Sequence, residues 1–444
     1  MKKILYILLL FCFLCISADA KLLKKSYLSI INDSNIPQAS VAISIKNVDT
    51  GKKEYSINDK ILMHPASLQK MLTIVPIANV LGDDYEFSTE IYSRGSDKYI
   101  IKLGADPYLT HSELRTLVNK IESGTVKKIY IDDSIIEDKD WGEGWQWDDD
   151  LNIYMPKFNS YNLDGNLLSF TILPTQKGKQ AGIINISKYP IGFLNNVITG
   201  DSNNITISRN NAVAANIIKL DGTVNTAEKI QIPNNNLKRY FEIKLTQELE
   251  NNKIYLKETY SGSKILPTDK KLEDISHPIN IAIIDILQNS NNMAIETLAK
   301  LAGGKYYNKQ GTDTDSVKLF NDYCEKNGLD ISRIKIVDAS GVSKNNLTDA
   351  DFVTEFLIKH KDNKTLGYLT QPGFGTLSDR MIPLKNNLKA KTGTLSDISS
   401  IAGYLTAKSG KKYAFCIMIN DPSSNSLSKK NLEDYLIREM YTNL

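Results

Sequence analysis

Ser67 and Lys70 have the residue types and the spacing of a serine nucleophile with a lysine base. They lie in the segment HPASLQKMLT, where an apolar helical pattern begins directly after Pro65. Residues i and i+3 share one face of a helix, so the hydroxyl would lie beside the amine. A lysine kept neutral by burial and a nearby cation can then accept the proton of the serine. The simpler alternative is a helix cap followed by a surface lysine.

The spacing alone does not decide between these two interpretations. The same Ser-x-x-Lys spacing recurs at Ser261/Lys264, Ser332/Lys335, Ser409/Lys412 and Ser426/Lys429. The copy at Ser67 differs from the others because it opens a long apolar helical pattern directly after a proline. Its chemistry therefore depends on suitable partners elsewhere in the chain.

Two other short segments contain groups that such a pair would need. Lys391, in the strand-like run LKAKTGTL, could lower the amine pKa of Lys70 by like-charge repulsion and attract an anionic group of a substrate. Gly393 has no side chain, so a substrate backbone could approach this strand closely. Between two helical patterns, Ser290 could relay a proton and the Asn292 amide could hold a substrate carbonyl. Each of these short motifs is weak when it is taken alone.

A histidine-based triad and a metal centre are both disfavoured. The chain has no Gly-x-Ser-x-Gly turn, and His64 precedes the helix, so its ring should point away from the Ser67 hydroxyl. The four histidines are scattered, and no Cys/His cluster has the spacing of a zinc site. We therefore expect no metal and no other cofactor.

Elements of several kinds must position these residues. A strand pair with a turn at Asp49-Thr50-Gly51 precedes the helix of Ser67, a long β-rich string follows it, and helices with three strand-like runs finish the chain. This order predicts an α/β domain that is interrupted by an insertion. The expected divisions are a signal peptide at residues 1–20, the first part of the domain at 21–83, an inserted β-rich region of one or more domains at 84–267, and the second part at 268–444.

The first twenty residues have the layout of a secretory signal. Two lysines precede an apolar run at residues 4–16, and small residues stand at Ala18 and Ala20. We expect cleavage after Ala20 and a periplasmic protein. A membrane anchor is the alternative, but the apolar run is shorter than the ~20 residues that a span needs. No second apolar stretch could serve as an anchor, so none is expected after cleavage.

Charge and cysteine content exclude further classes of function. The formal charge of +3 arises from 54 basic and 51 acidic residues, which gives no support for a nucleic-acid partner. Once the signal is removed, only Cys324 and Cys416 remain, too few for a disulfide framework. Whether these two cysteines pair stays open, as does the oligomeric state.

The order Ser-x-x-Lys, Ser-x-Asn, Lys-Thr-Gly resembles the three motifs of the penicillin-recognising serine acyltransferases. In detail the chain is similar to the D-alanyl-D-alanine carboxypeptidase/endopeptidase family of type-4 (class C) penicillin-binding proteins. The segments KLGADPYLT and DASGVS carry this resemblance most specifically, and PASLQKMLT, LGDDYEFST, SNNMAIETL, GTLSDRM and KTGTLSDISSIAGYL extend it over nearly the whole mature chain.

The resemblance implies a fold and an activity. The fold would be a transpeptidase-like domain, a central antiparallel sheet flanked by helices, interrupted by inserted β-rich domains. Ser67 would attack the carbonyl of the penultimate D-alanine of a peptidoglycan stem peptide, with Lys70 as its general base. Ser290 would pass the proton to the leaving amine, and Asn292 would position the substrate and Lys70.

The resemblance also implies a binding site and an inhibitor class. The residues that hold the terminal carboxylate would be Lys391, Thr392 and Thr394, next to Gly393. Backbone amides of Ser67 and Thr394 would form the oxyanion hole. A β-lactam would mimic the substrate and stall the acyl-enzyme.

Alternative functions remain open within and beyond this fold. A β-lactamase or a β-lactam sensor would share the motifs, although the Glu-x-x-Leu-Asn pattern of class A lactamases is absent. A non-catalytic cell-wall-binding protein would be expected to have degraded motifs, and all three are intact. The balance between carboxypeptidase and endopeptidase activity and the preferred cross-link are not indicated by the sequence.

Two further groups of residues are interpreted as structural. Asp338, Ser340, Gly341 and Ser343 of the DASGVS segment are expected to form a capped turn near the site. The three tryptophans of the insertion, Trp141, Trp145 and Trp147, are expected to be packing residues, with a sugar-stacking platform as the alternative.

Overall fold

The computed structural model describes residues 26–209, 216–258 and 260–444. The expected signal peptide and its cleavage after Ala20 lie outside the described residues. Within the described ranges, no helix is both long enough and apolar enough to cross a membrane. Cys324 and Cys416 are buried free thiols.

The strands are numbered in chain order. The first nine are β1 (Val41–Asn47), β2 (Lys53–Ile57), β3 (Glu86–Ser93), β4 (Lys98–Lys102), β5 (Gly124–Val126), β6 (Lys128–Asp132), β7 (Leu167–Leu173), β8 (Gly182–Asn185) and β9 (Gly192–Thr199). The others are β10 (Asn204–Arg209), β11 (Ile217–Val224), β12 (Glu228–Pro233), β13 (Ile254–Leu256), β14 (Ser261–Gly262), β15 (Lys270–Pro278), β16 (Leu388–Thr394), β17 (Ile398–Thr406) and β18 (Lys412–Asn420).

The α-helices are numbered in the same way. They are α1 (26–33), α2 (Gln69–Leu81), α3 (His111–Val118), α4 (Leu237–Asn251), α5 (Ile279–Gln288), α6 (Asn292–Tyr307), α7 (Asp313–Lys326), α8 (Ala350–Lys359) and α9 (Ser426–Asn443).

Backbone contacts divide the chain into two compact units. The first unit contains the described residues up to Asp83, Asn280–Asn291 and Asp313–Leu444. The second unit contains Asp84–Ile279 and Asn292–Thr312. The division of the sequence into domains at 83/84 and 267/268 stays a prediction. By contacts, the second unit also includes residues 268–279 and 292–312.

A five-stranded antiparallel sheet with helices on both faces forms the first unit. Its strand order is β16-β17-β18-β1-β2. On one face, Ile43 and Ile417 share a core cluster with Leu436 of α9. On the other face, the Ser44 hydroxyl lies 2.8 Å from the Thr354 hydroxyl of α8. Successive residues of a strand point to opposite faces of the sheet, and helices cover both faces. For this reason β1 and β18 are apolar and buried along nearly their whole length.

The second unit is rich in β-structure. A mixed five-stranded sheet has the order β14-β6-β4-β3-β15, and two three-stranded sheets have the orders β12-β7-β8 and β10-β11-β9. Residues of these sheets share one hydrophobic core with α3 and α4. The expected α/β fold with a central antiparallel sheet is therefore confirmed, and β-rich structure lies between its first and later parts.

A buried ion pair joins α9 to the segment before β16. Arg380 Nη2 lies 2.7 Å from Glu433 Oε2 and 2.6 Å from Asp434 Oδ1. The Ser399 hydroxyl of β17 donates to Glu433 Oε1 at 2.7 Å. Burial raises the pKa of Glu433, so this carboxylate depends on Arg380 to remain ionised.

We expect Arg380→Met to lower the free energy of unfolding by about 3–5 kcal/mol, because it leaves the buried Glu433 charge without its partner. Urea unfolding at pH 7 measures the change. The double variant Arg380→Met/Glu433→Met should recover most of the loss. As a control, Lys364→Met removes an exposed ion pair with Asp83 (Nζ–Oδ2 3.6 Å) and should cost less than about 1 kcal/mol. Equal losses in Arg380→Met and Lys364→Met would contradict this account.

Candidate active site

The Ser67 hydroxyl and the Lys70 amine are hydrogen-bonded. Lys70 Nζ donates to Ser67 Oγ at 2.9 Å. Lys70 is fully buried, whereas Ser67 is partly exposed. Lys70 is therefore not a surface lysine, and the serine that it contacts is partly exposed to solvent.

The turn that carries Ser67 differs from the expected helix. Ser67 lies in a 3-10 turn, Ala66–Leu68, and α2 begins at Gln69. Ala66 has a φ of 48°, a left-handed conformation that costs an L-residue about 1–2 kcal/mol. Backbone strain of this kind persists only where the surrounding structure holds it in place.

The DASGVS segment provides the second partner of the lysine. Lys70 Nζ donates to the Ser340 carbonyl at 2.7 Å, and the Thr73 hydroxyl of α2 donates to the Ala339 carbonyl at 2.8 Å. The expected capped turn thus also fixes the direction of the Lys70 amine. The sequence does not reveal this contact, because a backbone carbonyl leaves no signature in residue types.

Asp338 holds this segment in shape. Its carboxylate accepts hydrogen bonds from the Gly341 amide at 2.7 Å, the Ser343 amide at 2.6 Å and Asn346 Nδ2 at 2.7 Å. Gly341 has a φ of 81°, and a Cβ there would lie 1.9 Å from the carbonyl oxygen of Ala66. Only glycine allows the segment to approach the turn of Ser67 so closely.

Strand β16 lies against the same turn. A Cβ on Gly393 would lie 2.4 Å from Ser400 Oγ and 2.9 Å from the Ser67 amide nitrogen. Ser400 Oγ also donates to the Pro65 carbonyl at 2.8 Å, which ties the turn to the sheet. Gly393 is therefore required for contact between the strand and the turn. Its expected role in admitting a substrate backbone stays a prediction.

Lys391 is a second fully buried lysine in the first unit. Its Nζ donates to the Thr392 carbonyl at 2.9 Å. Burial and, to a smaller extent, the charge of Lys70 hold the pKa of Lys391 well below its usual range. Thr392 is buried, with its hydroxyl donating to Thr376 Oγ1 at 2.6 Å, and Thr394 is exposed at the end of the strand.

The Ser-x-Asn motif spans the boundary between the two units. Ser290 follows α5 in the first unit and has a φ of 66°. Asn292 begins α6 in the second unit, and its Nδ2 donates to the Tyr154 carbonyl at 2.6 Å. The roles of Ser290 and Asn292 in the reaction stay predictions. His64, expected to take no part, has its Nδ1 3.1 Å from the Asn346 carbonyl.

Comparison with known proteins gives one family. Residues 23–439 match the model of the D-Ala-D-Ala carboxypeptidase 3 (S13) family. The chain is 24% identical over 459 residues to D-alanyl-D-alanine carboxypeptidase DacB of Haemophilus influenzae, which covers 93% of this chain and 94% of that protein. It is 22% identical over 448 residues to D-alanyl-D-alanine carboxypeptidase of an Actinomadura species, which covers 89% and 80%.

Solved structures have the same fold. The crystal structure of penicillin binding protein 4 (dacB) from Haemophilus influenzae superimposes with a TM-score of 0.82 at 21% identity, over 94% of this chain and 99% of that chain. The same protein in complex with a β-lactam gives a TM-score of 0.76 at 21% identity, over the same shares of the two chains.

We expect Gly341→Ala to slow acylation by a fluorescent penicillin by about tenfold or more, because the new Cβ must displace the turn that carries Ser67. Stopped-flow labelling measures the rate. Gly410→Ala is the matched control, since Gly410 also has a positive φ (85°) but its Cβ would meet nothing within 4 Å. The control should lose about 1–2 kcal/mol of stability and keep its labelling rate. Equal labelling rates in the two variants would contradict a positioning role for the segment.

We expect Lys391→Met to raise the free energy of unfolding at pH 7 by about 1 kcal/mol or more, because an apolar side chain replaces a buried amine whose protonation is disfavoured in the folded chain. The folded pKa of Lys391 is lowered, so the unfolded chain binds more protons between that pKa and about 10.5. Wild-type stability should therefore rise with pH in this window, and the advantage of the variant should shrink. Urea unfolding at pH 7, 8.5 and 10 tests this. A variant that is less stable at pH 7 would contradict it.

Proposed function

Because the chain belongs to the D-Ala-D-Ala carboxypeptidase 3 (S13) family, we propose that it is a serine D-alanyl-D-alanine carboxypeptidase and endopeptidase. Its substrates are peptidoglycan stem peptides, and the reaction proceeds through an acyl-enzyme on Ser67. The observation that carries the proposal is the hydrogen bond of 2.9 Å between the amine of the buried Lys70 and the hydroxyl of the partly exposed Ser67.

In the proposed acylation step, Lys70 acts as the general base. Its neutral amine accepts the Ser67 proton while Oγ attacks the carbonyl carbon of the penultimate D-alanine. Backbone amides of Ser67 and Thr394 stabilise the oxyanion of the tetrahedral intermediate, a contribution of ~10²–10³ in rate for each donor. The Ser340 carbonyl holds the amine toward the hydroxyl and supports this assignment.

Lys391 provides the positive charge for the terminal carboxylate. Burial lowers the pKa of this lysine because its charged form is poorly solvated there, and in the proposed complex the terminal carboxylate would favour that charged form. The hydroxyls of Thr392 and Thr394 complete the clamp beside Gly393. The terminal carboxylate of the substrate therefore neutralises the charge of Lys391.

Collapse of the intermediate and deacylation complete the cycle. The C–N bond breaks, Ser290 passes a proton to the leaving amine, and Asn292 positions the substrate and Lys70. Water then attacks the acyl-enzyme and releases the shortened peptide. A β-lactam acylates Ser67 in the same way, but its leaving group stays attached, so the acyl-enzyme persists.

The place of action follows from the substrate. We propose that the chain is exported to the periplasm with its signal peptide cleaved after Ala20. It then acts on the cell wall.

Fluorescent penicillin should label the purified mature protein and not the Ser67→Ala variant, because the adduct is an ester of Ser67. Gel fluorescence measures the labelling. Ser332→Ala, at an exposed copy of the same Ser-x-x-Lys spacing, is the matched control and should label normally. Labelling of Ser67→Ala would remove the nucleophile assignment. Loss of the label within seconds would favour a β-lactamase.

The carboxypeptidase and endopeptidase activities are distinguished by their substrates and products. Chromatography should show D-alanine released from a pentapeptide and cleavage of a cross-linked muropeptide dimer, each abolished in Ser67→Ala. A labelled protein that hydrolyses neither substrate would instead be a β-lactam sensor.

A further inference from the structure

Strand β16 is an edge strand of the central sheet, and residues 370–377, here called the edge segment, lie beside it. The Ala390 amide donates to the Thr370 carbonyl at 2.9 Å. The Thr392 hydroxyl donates to Thr376 Oγ1 at 2.6 Å. The edge segment thus contacts the strand near both of its own ends. The proposed reaction assigns no role to any residue of this segment.

Internal contacts hold the edge segment in shape. The Thr370 hydroxyl donates to the Phe374 carbonyl at 3.0 Å. The Gly373 amide donates to the Leu377 carbonyl at 2.9 Å. The Leu377 side chain is fully buried in the hydrophobic core of the first unit, which anchors the end of the segment. Thr376 therefore has a defined position, although it is exposed.

Gly375 brings the same segment against the end of helix α5. It has a φ of 46°, and a Cβ there would lie 2.2 Å from the carbonyl oxygen of Gln288. Gln288 is the last residue of α5, shortly before Ser290. Only glycine allows the backbone to approach this carbonyl so closely. Thr376 is therefore held between the end of α5 and the edge of β16.

The two threonine hydroxyls can serve an anion without losing the hydrogen bond between them. A threonine hydroxyl has one proton, which can rotate, and two lone pairs that accept. In the free chain the proton of Thr392 points to Thr376. When a carboxylate approaches Thr392, this proton can turn to the anion while Thr376 donates its own proton to Thr392 Oγ1. Hydrogen bonds in such a chain polarise and strengthen one another, so Thr392 becomes a better donor to the carboxylate.

We propose that Thr376 is a positioning residue, whose hydroxyl orients Thr392 toward the terminal carboxylate of the substrate and donates to Thr392 Oγ1 once that carboxylate is bound. The inference rests on the proposed function, in which Thr392 belongs to the residues that hold the carboxylate. Thr376 acts only through Thr392 and does not touch the substrate. Its effect is therefore confined to ligands that have a free carboxylate at this place.

A fluorescent penicillin and its methyl ester test the proposal on the mature protein. In the proposed function the carboxylate of penicillin takes the place of the terminal carboxylate, and the ester blocks it. Thr376→Val keeps the shape of the side chain and removes the hydroxyl. Well below saturation, this variant should be acylated by the free acid about three- to tenfold more slowly than the wild type, and by the ester at the wild-type rate. Mass spectrometry of the intact protein follows slow acylation by the ester.

Matched variants separate the hydroxyl from the fold of the segment. Thr376→Ser keeps the hydroxyl and should restore the wild-type rate with the free acid. Ser378→Ala is the control, because this exposed hydroxyl donates to the exposed Asp379 at 3.1 Å, and the variant should react as the wild type does with both probes. With a stem pentapeptide, Thr376→Val should raise KM and leave kcat unchanged, because the carboxylate is bound alike in the ground state and the transition state.

Three results would overturn the inference. They are equal slowing of Thr376→Val with acid and ester, a wild-type rate of Thr376→Val with the acid, and a rate of Thr376→Ser as low as that of Thr376→Val. In each case, labelling of the wild-type protein by the free acid would leave the proposed function intact. Absence of wild-type labelling by the free acid would instead remove the proposed function and this inference with it.

Discussion

The burial of one lysine amine organises the structure around Ser67. Lys70 Nζ has no solvent to solvate it and contacts the Ser67 hydroxyl and the Ser340 carbonyl. Burial disfavours the charged form of an amine, so a site of this kind suits a base that must be neutral to act. This arrangement requires an unfavourable backbone conformation at Ala66 and a glycine at position 341, where a side chain would collide with the Ala66 carbonyl.

Burial also disfavours the charged form of a second lysine, Lys391 on strand β16. Burial lowers the pKa of Lys391 because the charged form of its amine is poorly solvated there, and in the proposed reaction this amine meets the terminal carboxylate of the substrate. We expect an apolar residue at this position to make the protein more stable and, in the proposed reaction, to bind the terminal carboxylate less tightly. Rigid support comes from the central sheet, where Ser400 and Gly393 fix the turn against β16.

Local patterns in the sequence were sufficient for part of this description. The i, i+3 relation placed Ser67 beside Lys70, and the alternation of apolar residues indicated the strands of the central sheet. The contact from Ser340 could not be predicted in the same way, because it joins residues 270 positions apart through a backbone atom. The 3-10 turn before α2 was also not expected, since helical periodicity does not distinguish its first turn from an α-helix.

Residues that are close in the sequence have different surroundings in the folded chain. Trp145 and Trp147 are two positions apart, yet Trp145 is buried and Trp147 is 84% exposed, so the expectation of a packing residue is wrong for Trp147. Residue type gives no reason for this difference, because it depends on which side chains of distant strands and helices cover each ring. Ser290 and Asn292 are likewise close in sequence but belong to different compact units, so their spacing does not determine their geometry.

Mass spectrometry of the penicilloyl-protein tests the central claim most directly. After brief treatment with penicillin and digestion, the account predicts one modified peptide, with the added mass on Ser67. An adduct on the serine of another Ser-x-x-Lys copy, or on a different nucleophile, would contradict the assignment of Ser67 and Lys70 as the reactive pair.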